Sequence, residues 1–144
     1  MPDTPRDSST DSPLAAERFT AQSLEAALTV RDLATSVAWY RDVLGFAVDR
    51  EFRRDGQLFA VRVRAGAVRL LLSQDTGARG ADRVKGEGFS LQLTTTADID
   101  AVAARIEAQG GTLVTPPADV GGARAFRVQD PDGFRFAISA PRAG

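Results

Sequence analysis

Residues 24–48 read LEAALTVRDLATSVAWYRDVLGFAV, and the spacing of their apolar positions changes twice. Ala26, Leu28 and Val30 alternate with Glu25, Ala27 and Thr29, the period of a half-buried strand. From Leu33 the apolar residues fall at Leu33, Val37, Tyr40 and Leu44, one face of a helix. Asp32 or Ser36 is placed to cap that helix, where a carboxylate also suits the helix dipole, and Gly45 is placed to stop it. The order recurs in FSLQLTTTADIDAVAARIEAQGGTLV, with Ile99, Val102, Ala103 and Ile106 on one helical face after Asp98. One offset of 66 residues relates Asp32 to Asp98 and Gly45 to Gly111.

Extended segments follow each helix. FAVDREF, QLFAVRVRAG and AVRLLLSQ follow the first, separated by Asp55-Gly56 and Ala65-Gly66, and TLVTPP, ARAFRVQD and FRFAIS follow the second. The chain is therefore expected to hold βαβββ twice, a first module over about 22–75, a linker over 76–87 and a second module over 88–140. Two like sheets can pair and enclose a cleft. Near the end stands DPDGFRFAIS, a turn that feeds an alternating strand. Gly86, Gly88, Gly121 and Gly122 lack the helix and lysine of a phosphate loop and read as turns.

Composition narrows the chemistry. The 144 residues are 43% hydrophobic, enough for one domain with its own core. The net charge of −1 supplies no basic field for nucleic acid or an anionic membrane, and no apolar run is long enough to span a bilayer. Residues 1–21 are polar, lack the apolar core of a signal peptide and are expected to form a disordered leader on a soluble, cytoplasmic protein. Cysteine is absent, which excludes disulfides, thiolate nucleophiles and thiolate metal sites. Histidine is absent too, which removes the usual general base near neutral pH and the commonest metal ligand.

LTVRDLATSVAWYRDVLGF resembles the opening of the vicinal oxygen chelate superfamily, the glyoxalase, bleomycin-resistance and extradiol dioxygenase group, and ADIDAVAARIEAQGG with ARAFRVQDPDGFRFAIS resembles its second module. The resemblance implies an α+β fold of two βαβββ modules forming an eight-stranded, partly open barrel, commonly within a homodimer. Enzymes of that superfamily hold a divalent metal at up to four positions on the first and last strands of each module. Here those positions fall on Glu25, on Leu71, on Ser90 or Gln92, and on Ala137. One carboxylate remains where a catalytic site wants about three protein ligands, so no metal and no cofactor are expected.

The resemblance thus implies a metal-independent protein that sequesters a drug or metabolite in the cleft without turnover. The alternative is a lyase, isomerase or dioxygenase with an atypical metal site or Glu25 as general base. The residues expected to line the cleft are Glu25, Ala27, Thr29, Phe59, Leu71, Ser90, Gln92, Arg135 and Ala137, with Arg124 or Arg127 according to strand parity. Trp39 and Tyr40 are expected in the core or at a dimer contact. Arg50, Arg53, Arg54, Arg62, Arg64 and Arg69, interleaved with Asp49, Glu51 and Asp55, are expected to form a solvated face. The expected partners are a small organic ligand and a second copy of the chain.

Overall fold

The computed structural model describes residues 16–80 and 82–142. The greater part of the expected leader, residues 1–15, lies outside them. The first module runs β1 (Ala26–Val30), α1 (Leu33–Ala38), β2 (Ala47–Arg54), β3 (Gln57–Ala65) and β4 (Val68–Gln74). The second runs β5 (Leu91–Thr94), α2 (Ile99–Ala108), β6 (Leu113–Val120), β7 (Ala123–Gln129) and β8 (Arg135–Pro141). This is βαβββ twice, as the periodicity predicts. Each module forms a four-stranded sheet, ordered β1-β4-β3-β2 and β5-β8-β7-β6, with the first and last strands of each module parallel and the other neighbours antiparallel.

Asp32 caps α1, its carboxylate accepting from the Thr35 N–H at 3.3 Å, and Asp98 caps α2 by accepting from the Asp100 and Ala101 N–H groups. Ser36 takes another part, described below. The first helix does not finish as an α-helix. Trp39–Leu44 form a wider π-helical turn that closes on Gly45, whose φ of 94° is left-handed. That turn keeps Tyr40, Val43 and Leu44 all buried.

One apolar core runs through both modules. Leu28, Val30, Val61, Val63, Leu70 and Leu72 from the first sheet join Phe126, Val128, Phe136, Ile138 and Ala140 from the second, with residues of both helices among them. Tyr40 packs edge-on against Phe136 across the module boundary, with ring centroids 5.9 Å apart. Each sheet therefore spends one face on the shared core. Its other face is open, and among the described residues no strand of one sheet pairs with a strand of the other, so the barrel is not closed.

The Asp130-Pro-Asp-Gly turn locks the modules together. The Asp130 carboxylate accepts the Tyr40 hydroxyl at 2.6 Å and the backbone N–H groups of Asp132 and Phe134 at 2.9 and 2.8 Å. Asp132 accepts the Arg31 N–H at 2.8 Å and the Ser36 hydroxyl at 3.2 Å. Both aspartates are buried, so each needs these partners. Burial pushes the Asp130 carboxyl up, against the pull of its hydrogen bonds, and burial beside that carboxylate pushes the Tyr40 phenol up. The linker is pinned in turn by Lys85, whose ammonium meets Asp75 at 2.6 Å in a buried ion pair. That pair holds the Asp75 carboxyl below its ordinary range.

Candidate functional site

Pairing register fixes which residues share each open face. On the first sheet Ala27 stands opposite Leu71, Leu71 opposite Arg62, Thr29 opposite Ser73 and Arg50 opposite Arg62. Glu25, just before β1, reaches this face and accepts from the Arg62 guanidinium at 2.6 Å. The bond holds the Arg62 guanidinium above its usual range. Arg62 and Arg50 also lie 5.3 and 4.9 Å from the centre of the Phe52 ring, a cation–π arrangement on both counts. Arg64 pairs with Asp49 and Arg53 with Glu51, as the interleaved charges predict. Phe59 sits at an irregularity in the β2–β3 register, where Phe52 pairs Ala60 but Arg53 pairs Leu58. The slip gives the core contact to Leu58, while the Arg54 guanidinium covers the Phe59 ring at 4.5 Å.

On the second sheet Ala137 stands opposite both Gln92 and Arg127, and Ser139 opposite Thr94 and Ala125. Thr115 pairs Arg127 and Ala118 pairs Ala125, which completes the open face. Two adjoining hollows lie on it. One, of about 500 Å³, is floored by Ala118, Ala123, Ala125, Ala137 and Ser139, with Gln92, Thr115 and Arg127 at its border. The other, of about 710 Å³, lies under the linker and includes Phe89, Ser90, Gln129 and Arg135; it shares Arg127 and Ala137 with the first. Small side chains, four alanines and Ser139, keep this surface hollow.

Strand parity separates the two candidate arginines. Arg127 lies on the open face with Ala137, whereas Arg124 pairs Ala140 on the core side and turns to the start of α2. There its guanidinium meets Asp100 at 2.7 Å and Asp119 at 3.0 Å. Those bonds hold the Asp100 carboxyl low and leave Arg124 no reach into either hollow. The expected set is therefore divided. Ser90, Gln92, Arg127, Arg135 and Ala137 gather on the second sheet, while Glu25, Ala27, Thr29 and Leu71 gather on the first and Phe59 stands apart under Arg54. Within one chain the two groups line no common hollow among those just described. The alanine floor and Phe89 were not anticipated, although the alternation Ala123, Ala125, Arg127 against Phe126 and Val128 carries the signal for the floor.

The same geometry tests a metal at the superfamily positions. Glu25 is the sole carboxylate there and is engaged by Arg62; Ala27 and Leu71, which follow it on that face, offer no ligand atom. Among the described residues no group of three or more His, Cys, Asp or Glu side chains is placed to hold an ion. The donors present do not fit a catalytic divalent site.

Paired βαβββ modules with a helix behind each sheet define a recognisable class of fold. Residues 22–138 match the family model of the Glyoxalase/Bleomycin resistance protein/Dioxygenase superfamily, and the chain belongs to that superfamily. Solved structures agree. A superfamily member from Sphaerobacter thermophilus DSM 20745 is 25% identical, with a TM-score of 0.69 over 84% of this chain and 98% of that one. UcmS2 gives 0.70 at 18% identity, over 84% of this chain and 98% of its own. TnmS3, an antibiotic binding protein from Streptomyces sp. CB03234, gives 0.68 at 21% identity, over 86% of this chain and all (100%) of its own. No curated protein matches the chain in sequence. Among the described residues no helix is long and apolar enough to cross a membrane.

Proposed function

We propose that this protein binds a small organic molecule on the open face of its second sheet, without a metal ion and without turnover. The observation that carries the reading is the alanine-floored hollow of about 500 Å³, whose size and apolar lining suit a drug-sized ligand. A neighbour of the same fold is an antibiotic binding protein, which supports a small-molecule binding role. The metal-free part of the reading rests on donor chemistry, since Leu71 and Ala137 offer no ligand atom and Glu25 is taken up by Arg62. A second copy of the chain is the proposed cover, its first-sheet face set against the second-sheet face of its partner. The half-buried Leu71, Thr29 and Ser73 on one face and Ala123, Ala125 and Ser139 on the other supply material for such a contact.

Ala125→Trp tests the reading, because an indole there fills the hollow while leaving the core side of β7 untouched. Polycyclic aromatic antibiotics are screened by thermal shift against both proteins. The expected result is stabilisation of the native protein by at least one compound and its loss in Ala125→Trp, with unliganded stability retained. Equal stabilisation of both would place binding elsewhere. Elemental analysis of untagged protein checks the metal: stoichiometric zinc, iron, manganese or nickel that depends on Glu25 would overturn the metal-free reading.

A further inference from the structure

We infer that the ligand of this face is an organic anion, an apolar body carrying an acidic group, with the acid held by Arg127 and Arg135. The inference rests on the reading of the second sheet's open face as the ligand site. Arg127 stands opposite Ala137, and Arg135 precedes Ala137 by one alternation on the same face, so the two residues are diagonal neighbours on the strand pair. Among the described residues neither has a carboxylate within 4.0 Å; Arg135 donates only to the Gln129 amide oxygen, at 2.9 Å. Like charges side by side on a strand pair are unfavourable, and the fold neutralises other cations near this face. Arg31 is held by Asp132, and the ammonium of Lys85 by Asp75. Glu87 is the remaining carboxylate of the hollow under the linker, and among the described residues no cation lies within 4.0 Å of it. Two arginines without a carboxylate partner among the described residues leave an excess of positive charge on this face.

The position of that charge gives the ligand its shape. Arg127 and Ala137 belong to both hollows, the apolar one over Ala118, Ala123 and Ala125 and the polar one beneath Phe89 and Ser90. A molecule lying across the shared border sets its hydrocarbon on the alanines and its acid between the guanidinium groups, whose planar forks match a carboxylate or sulfonate. A neutral molecule of the same shape fills the floor and leaves the arginines unmatched.

Isothermal titration with naphthoate and with naphthamide, of the same outline and no charge, tests this. Naphthoate is expected to bind the native protein at least about tenfold more tightly, the yield of a charge-assisted pair. Arg127→Gln/Arg135→Gln is expected to erase that preference while keeping naphthamide affinity, and Arg135→Gln alone to erase part of it. Arg124→Gln, on the core side, is expected to leave the preference intact. Equal affinity of the native protein for both probes, or a preference that survives the double substitution, overturns the anion site and leaves the binding face standing. Binding of neither probe, or binding of both that survives Ala125→Trp, overturns the face and the anion site together.

Discussion

Tyr40 is fully buried, and its hydroxyl is satisfied by one carboxylate oxygen of Asp130. Tyr40→Phe keeps the ring packing but leaves that oxygen unpaired. The expected cost is about 1–3 kcal/mol in urea unfolding, the penalty for a stranded buried acceptor. Asp130 also sets a pH dependence. Its carboxyl is raised above the ordinary 3.8, chiefly by burial, so the native state holds the proton more tightly than the unfolded chain. That contribution to stability is complete below about 3.8 and is lost as pH rises through the folded value. Asp130→Asn is therefore expected to show a smaller loss of thermal stability between mildly acidic and neutral pH than the native protein; an unchanged slope would remove Asp130 from the account. These roles were hidden in the sequence, where Asp-Pro-Asp-Gly reads as a turn and nothing signals that its carboxylates face inward. The sequence left the parity of Arg124 and Arg127 open, and the structure supplies it: Phe126 and Val128 take the core and force Arg127 to the other side. Arg124 shares the core-side parity, but its partners Asp100 and Asp119 come from α2 and β6, so no local pattern announces them.

At the scale of elements, the helices, strands and turns followed directly from periodicity, because each buries a single face. Where an element departs from regular geometry the pattern falls silent. The π-helical turn at Trp39–Leu44 and the register slip beside Phe59 both leave the apolar spacing looking ordinary. The linker is another such place. Gly86 has a φ of 81° and lies against the backbone of Gly133 and Phe134, so a side chain there meets main-chain atoms rather than a flexible tip. Gly86→Ala is expected to cost about 2 kcal/mol or more, by backbone strain and displacement together. It is also expected to weaken naphthoate binding, because the linker roofs the polar hollow. Retained stability and affinity would mean that the linker is not docked as described.

At the scale of the whole molecule, the sequence left open whether the cleft forms within one chain or across two. Duplication makes the two sheets equivalent, and equivalence suggests that their open faces meet. Within the chain Tyr40, Phe126 and Phe136 fill the space between the modules and bind them through their helix-bearing faces. The proposed cover is a second chain, so sedimentation is expected to give about twice the 15.3 kDa of one chain. A monomer at all accessible concentrations would leave the face as an open shelf. The most direct check on the central claim is the pattern of backbone amide shifts as naphthoate is added. Changes centred on Gln92, Ala118, Ala125, Arg127 and Ala137, and absent from Ala125→Trp, are the predicted result. Changes centred on α1, α2 or the β2–β3 hairpin instead, with the alanine floor unmoved, would contradict it.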